Sequence, residues 1–585
     1  MTASSAQRGL ARRWTARLDR IEIERGSVVV GAIAFIVVAL TYARMYFGAD
    51  FTDQAYYVVV PYRFALGARP FIDETAPQQT AGLLVFPFIS AYHAVFGVSG
   101  IILFARHLHF LFSVAVASCV YLGLRPFART RAEGFLPSLI PIAFVPFNLP
   151  DLSYNNLASG FFVAGCFLGL RSLATQGSAA IATAGLAHGL AIFVYPTFVL
   201  PALVYVSILT LLGVPPRRRI LVSYAVGVVI PVAALVAVFA HAGLDNIRNV
   251  FTNARDFSNE GGSLGKALRI AGEAATIGWR APLGLLALAA AIGSWRYRPR
   301  LAALLLWVIP LLLVPLTFVR RDYGSLYYVM IYGMLALPLY VLRRHDATTR
   351  RLFLAIWPAA FVGGLAPAWS SANGAINFAL GFLPAAVITT LFLARAADAE
   401  WPPAQPRIGL RTILANTSVV VFLALQFTSV YRDRNIAWLG SRVQSGAYAG
   451  IYTTAEKRMF IARLTSDVRR LASAKCRILF YDNFPAGYLL SRSHAYTNAA
   501  WLLGAKNSKP NPYHRVLLRY YERKGALPDV VVRMTIGFGK REVTEVRRDP
   551  LDRLVTQSRI YRIAAKRDTY SIYDLRSTDC LGPGR

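Results

Sequence analysis

From Ser27 to Phe47 the chain is apolar with a single charge, Arg44, near its end. About 20 apolar residues are enough to cross the hydrocarbon core of a bilayer, and comparable runs recur as far as residue 431. A soluble core of this size has no use for apolar runs so long and so frequent. With 55% hydrophobic and 16% charged residues, the 585-residue chain reads as a polytopic α-helical membrane protein. Residues 1–26 are basic (Arg8, Arg12, Arg13, Arg17, Arg20) and should remain in the cytoplasm. The run that follows is too long for a cleaved signal peptide.

A formal net charge of +33 invites a nucleic-acid reading. The arginines, however, lie in short clusters between apolar runs, with no nucleic-acid motif, so no nucleic-acid partner is expected. Such clusters hold the flanks of spans in the cytoplasm. Arg125, Arg129 and Arg131 mark one inner turn and Arg217-Arg218-Arg219 another; further turns lie near Arg296, Arg343 and Arg395. An even number of crossings must separate these clusters. Residues 78–97 are therefore expected to lie in the outer interface and 100–122 to form the second span. Two spans are expected between Gly134 and Arg171, and two more in 179–213. Further spans are expected at 220–240, 279–295, 301–319, 325–342, 352–368, 375–395 and 412–431. The total is about thirteen crossings, with the tail outside.

Three regions follow: the basic terminus 1–26, a membrane region 27–431 whose first outer loop is 48–99, and a tail, 432–585. In the tail, 454–472 has helical spacing, while Arg477 to Tyr481 and Asp529 to Met534 read as buried strands. Residues 559–564 and 569–575 suit a hairpin, so a small extracytoplasmic α/β domain is expected. Gly537-Phe538-Gly539 lacks the strand–glycine–helix setting of a dinucleotide site. Cys476 and Cys580 fall in this tail and are candidates for a disulfide.

The chemistry-bearing residues cluster just past the first run. Carboxylates at the lip of a span are costly to desolvate and usually have a task. Asp53 is the expected general base and Asp50 its competitor. Asp73 and Glu74 close the same loop; they could bind a divalent cation or the acceptor, or pair with Arg69 or Arg63. Arg320 and Arg321 break the charge rule on the outer side and suit phosphate. Arg106 could contact phosphate or hold the first loop down. Tyr56, Tyr154, Asn155 and Asn373 are expected to line a cavity. No Ser-His-Asp order, Walker sequence or zinc spacing is present. No cofactor is assigned with certainty, and a divalent cation is left open.

The stretch Asp53-Gln54-Ala55-Tyr56-Tyr57, then Gly67-Ala68-Arg69-Pro70-Phe71, Arg106 and Ser153-Tyr154-Asn155-Asn156, resembles the GT-C glycosyltransferases. The comparison is with their branch of protein O-mannosyltransferases and lipid A aminoarabinose transferases. The resemblance covers roughly 27–430 in layout and is specific mainly in 50–110. The family's second acid is Gln54 here, which leaves Asp53 alone. It implies a bacterial inner-membrane enzyme moving a sugar, with inversion, from polyprenyl phosphate to a glycan, lipid or protein acceptor among membrane lipids. A transporter or flippase and a glycan ligase are the competing readings.

Overall fold

The computed structural model describes residues 28–576 apart from 214–215, 259–261, 280–281, 313–322, 343–345, 401–416, 429, 503–511, 538–540 and 543–548. Among the described residues, seven helices are long and apolar enough to cross a membrane, and five shorter apolar helices accompany them. The chain is accordingly a mostly helical, multi-pass type of protein.

Helix α1 (Val28–Arg44) ends on a buried arginine. Arg44 Nε donates to the Gln426 carbonyl at 2.7 Å, tying α1 to the last apolar helix, Thr417–Thr428. The first turn of helix α2 (Asp53–Ala65), whose N-cap is Thr52, is held by Asp50. The Asp50 carboxylate accepts from Gln54 N at 2.7 Å and from the Thr52 hydroxyl at 2.7 Å. A side-chain oxygen on the orphan amides of a first turn is the usual way to begin a helix.

Helix α3 (Gln79–Phe96) is one of the seven candidate spans by length and composition. Both of its ends nevertheless meet the tail. Just before it, Glu74 accepts from Ala500 N at 2.9 Å; just after it, Gly100 N donates to Gly446 O at 3.0 Å. Eighteen residues cover about 27 Å at the helical rise, so α3 bridges two parts of the same tail.

Helix α4 (Ile101–Leu124) leads to the Arg125 end of the bundle. The sequence led us to expect two spans between 134 and 171. Only the second is continuous: α5 (Tyr154–Thr175). The first is a chain of short helices, Arg131–Phe135, Leu136–Leu139, Ile140–Ala143 and Pro146–Asn148, the last three with proline in their first turn. Pro137, Pro141 and Pro146 each lack the amide that would continue a preceding helix. The segment still runs from one end of the bundle to the other. Glu133 bonds Arg395 at 2.8 Å, while Pro150 O accepts from Gln54 beside α2 at 3.1 Å. Residues 136–151 are buried throughout, as broken backbone at membrane depth must be.

Residues 179–213 form two helices, Ser178–Val194 and Val199–Leu212. Ser178–Val194 packs on Arg217–Ala242 through Gly185 and Gly227, where an added Cβ would strike the opposite backbone. Small residues permit this approach when helices associate without a hydrophobic drive.

The tail holds a five-stranded sheet. In chain order its strands are β1 (Arg477–Tyr481), β2 (His494–Ala495), β3 (Val530–Met534), β4 (Tyr561–Lys566) and β5 (Tyr570–Leu575). Their spatial order is β2-β1-β3-β5-β4, with β1 parallel to both neighbours and β5 antiparallel to β3 and β4. The helix Ala455–Leu471, capped by Thr454, lays Phe460, Leu464, Val468 and Leu471 into the core. Cys476 is disulfide-bonded; Cys580, its expected partner, lies outside the described residues.

Candidate functional site

The tail and the first loop are stitched together around Asp53. Ala486 N donates to Phe51 O at 3.1 Å, and Lys457 Nζ to Ala49 O at 2.6 Å and Arg432 O at 2.7 Å. Asp433 accepts from Ala49 N at 2.9 Å and from the Thr453 hydroxyl at 2.8 Å. These bonds fix the segment Tyr431–Arg432, which follows the last apolar helix, against the start of α2.

Asp53 therefore has company that its sequence neighbourhood does not announce. Its Oδ2 accepts from the Tyr431 hydroxyl at 2.8 Å and lies 3.0 Å from Arg432 Nη2. Arg432 Nη1 also donates to the Thr52 hydroxyl. Arg432 has φ of +50°, a left-handed conformation that costs a non-glycine residue energy and persists where the surroundings enforce it. The pair stays partly open, with side-chain exposures of 16% for Asp53 and 28% for Arg432. Asp53 Oδ1 accepts no hydrogen bond among the described residues. Burial pushes the Asp53 carboxyl up; Arg432 pulls it down, Asp50 pushes it further up, and the Tyr431 and Thr52 hydroxyls pull it down. The net direction is upward, which makes the carboxylate a stronger base.

A second carboxyl faces the same region. Asp151 is buried, and Ser153 N and Asn156 Nδ2 both donate to its Oδ1 at 3.0 Å; its Oδ2 has no partner among the described residues. Three tyrosines pack in sequence nearby: Tyr57 against Tyr154 at 6.1 Å, and Tyr154 against Tyr195 at 5.2 Å. Asn155 Oδ1, Asn156 Oδ1 and His109 Nδ1 are also buried without partners among the described residues. His109 and Asn156 line a cavity of about 30 Å³ with Ser113, Phe144, Ser159 and Leu383. The bare atoms of His109 and Asn156 in this cavity suit water or a polar ligand.

Other residues singled out in the sequence have structural occupations. Arg106 donates to Met45 O at 2.7 Å, Phe47 O at 3.0 Å, Gly48 O and, through Nε and Nη2, to Gln54 Oε1. A guanidinium has five N–H donors, and these five bonds use them all. Arg106 thus holds the first loop down and has no donor left for phosphate. Gln54 also explains its own departure from an acid. Its Oε1 takes Arg106 while its Nε2 donates to Pro150 O, a bond no ionised glutamate can make.

Glu74 pairs with Arg63 at 2.7 Å, with exposures of 1% and 5%. Asp73 pairs with Arg69 at 3.2 Å. The two acids thus turn to different arginines. Among the described residues, no group of three or more His, Cys, Asp or Glu gathers as metal ligands do. Asp50 is occupied by the first turn of α2, and Tyr56 is turned against Trp501 at 5.2 Å. Asn373 is exposed at the turn before Gly374–Asn377. Arg320 and Arg321 lie outside the described residues.

The sequence reading missed Tyr431, Arg432 and Asp151. A signal existed for each. Tyr431-Arg432-Asp433-Arg434 is a charged cluster at the lip of the last span, and Asp151 an acid at the lip of another, the argument that had singled out Asp53.

No family model and no curated protein matches the chain. Three solved structures of oligosaccharyltransferase from Archaeoglobus fulgidus show a distant likeness. The complex with Zn and sulfate aligns at a TM-score of 0.46 and 13% identity, covering 86% of this chain and 68% of that one. The complex with an inhibitory peptide and a dolichol-phosphate gives 0.45 and 11%, covering 86% and 69%. The form tethered to an acceptor peptide gives 0.44 and 11%, with the same coverage. At TM-scores below 0.5 these likenesses carry no weight for this chain's chemistry.

Proposed function

We propose that the chain is a membrane glycosyltransferase that moves a sugar from a polyprenyl-phosphate donor to an acceptor hydroxyl on the outer side of the membrane. The observation that carries the reading is Asp53: a desolvated carboxylate with one oxygen held by Tyr431 and Arg432 and the other bare. Asp53 Oδ1 takes the acceptor's proton as that hydroxyl oxygen bonds to the anomeric carbon. The bond from that carbon to the phosphate oxygen breaks, its electron pair leaves on the phosphate, and the configuration inverts. Arg432 retains donors beyond those it spends on Asp53 and Thr52, so it can meet the departing charge. Arg320 and Arg321 remain candidates for the same work.

The sidedness rests on the arginine clusters and on the disulfide-bonded Cys476, a linkage of oxidising compartments. About thirteen crossings, the inner membrane of a bacterium and the 48–99 loop on the outer face belong to the same reading. The meeting of both α3 ends with the tail favours α3 lying along that face. Asp73 is the more exposed of the two loop acids and the one left for an acceptor or a divalent cation.

The test is the stoichiometry of products from purified protein in bilayers given a polyprenyl-phosphate sugar. Release of one polyprenyl monophosphate per sugar transferred is expected. Donor crossing the bilayer with no covalent product would instead indicate a flippase; transfer only from a separately supplied polyprenyl-pyrophosphate glycan, leaving polyprenyl pyrophosphate, would indicate a ligase.

A further inference from the structure

Lys457 stands in the first turn of the tail helix Ala455–Leu471, and its ammonium reaches back to the segment before α2. One nitrogen there serves both pieces of chain that meet at Asp53. Lys457 Nζ donates to Ala49 O at 2.6 Å and to Arg432 O at 2.7 Å, and lies 3.5 Å from Asp433 Oδ2. That same Asp433 oxygen accepts from Ala49 N at 2.9 Å. The amide of Ala49 is thus gripped by Asp433 and its carbonyl by Lys457. Lys457 is 13% exposed and Asp433 1%, so water competes little for these bonds. The approach is close as well: a Cβ added at Gly48 would strike the Val430 side chain.

The grip bears on Asp53 through Arg432. A φ of +50° in a non-glycine residue has to be enforced by its surroundings. Lys457 holds the Arg432 carbonyl, while the Arg432 guanidinium lies 3.0 Å from Asp53. We infer that Lys457 is a positioning residue for the transfer reaction: with Asp433 it fixes Arg432 in the conformation that sets the guanidinium on Asp53, so that docking of the tail completes the catalytic centre. An ammonium has three N–H donors, and three oxygens of the protein already face this one. Lys457 therefore acts through Arg432 and not on the substrate. The inference rests on the function proposed above and adds to it a residue of the tail.

The test is the kinetics of full-length Lys457→Met in bilayers supplied with a polyprenyl-phosphate sugar, normalised to folded protein. Turnover should fall about tenfold to a hundredfold, because a group misplaced by roughly 1 Å can cost that much. The charged groups near Asp53 are Arg432, Asp50 and Asp151, with the Tyr431 hydroxyl bonded to it; Arg432 is the cation among them. With Arg432 displaced, the acid limb of the pH–rate profile should move upward, as in Arg432→Met. Adding Lys457→Met to Arg432→Met should slow transfer no further, because one residue acting through another does not add to it. Lys457→Arg keeps a cation beside Asp433 but offers a planar fork in place of a single point donor. It should fold and show a smaller loss, with the limb moved the same way. A folded Lys457→Met whose acid limb does not move, or an additive loss in the double variant, overturns the inference. If Lys457→Met does not fold, a Lys457→Arg protein with wild-type turnover and limb marks a merely structural lysine and overturns it too. Wild-type protein that transfers no sugar overturns the proposed function itself. Wild-type transfer beside an unaffected lysine variant overturns only the role of Lys457.

Discussion

Asp53 and Glu74 are both acids of the first loop region, both paired with arginine, and they differ in what surrounds the pair. Glu74 is sealed. Its Oε2 takes Arg63 and Ala500 N, while Arg63 spends its other nitrogen on Asp73 O and Thr497 O. Two bonds of that cluster, to Ala500 N and Thr497 O, join loop to tail. Asp53 is held on one oxygen only, and its arginine stays partly exposed in a left-handed backbone. A carboxylate–arginine pair with all lone pairs used is a rivet. One with an oxygen to spare is available for chemistry.

The comparison predicts opposite losses. Asp53→Asn should cost transfer about 10²–10⁴-fold, the usual worth of a positioned general base, with no fall in melting temperature. Glu74→Gln should do the reverse. Leaving Arg63 buried beside a neutral partner should cost about 3–5 kcal/mol of stability, read by denaturant unfolding, and activity should fall only as folded protein is lost.

Arg432→Met sharpens the contrast. It should lower turnover about tenfold to a hundredfold through loss of a charge-assisted contact to the leaving phosphate, and it also releases Asp53 from its cation. The acid limb of the pH–rate profile should then move upward, because Arg432 is the largest influence holding the carboxyl down. In the wild type that limb should already lie above the ordinary aspartate range.

Stability has the matching sign. A carboxyl whose folded value is raised contributes its stability at low pH and loses it as pH rises through that value. The melting temperature of Asp53→Asn should therefore gain on wild type as pH climbs past the ordinary aspartate range. The smallest effect is expected from Gln54→Glu, which trades the Pro150 bond for a charge on Arg106. A shift within about 1–2 kcal/mol in either direction fits the worth of one buried hydrogen bond.

How much was legible beforehand follows the range of the forces involved. Spans and strands were readable because periodicity and apolar length act locally: the 455–471 helix and β1, β3, β4 and β5 all lie close to where their patterns put them. The broken stretch 131–148 was misread because its composition is that of a span; only its three prolines betray it. Asp53 was legible from its place beside a span. Its partners were not, because Tyr431 and Arg432 arrive from 378 and 379 residues away, brought by the packing of the tail on the loop. Arg106 was ambiguous for the same reason: its acceptors are mostly backbone carbonyls about 60 residues away, and no motif records them.

The most direct measurement is transfer by Asp53→Asn against Glu74→Gln, each normalised to folded protein, in bilayers supplied with a polyprenyl-phosphate sugar. The account predicts that turnover per folded molecule collapses in the first and survives in the second. Undiminished turnover by folded Asp53→Asn, or a collapse confined to folded Glu74→Gln, would contradict it.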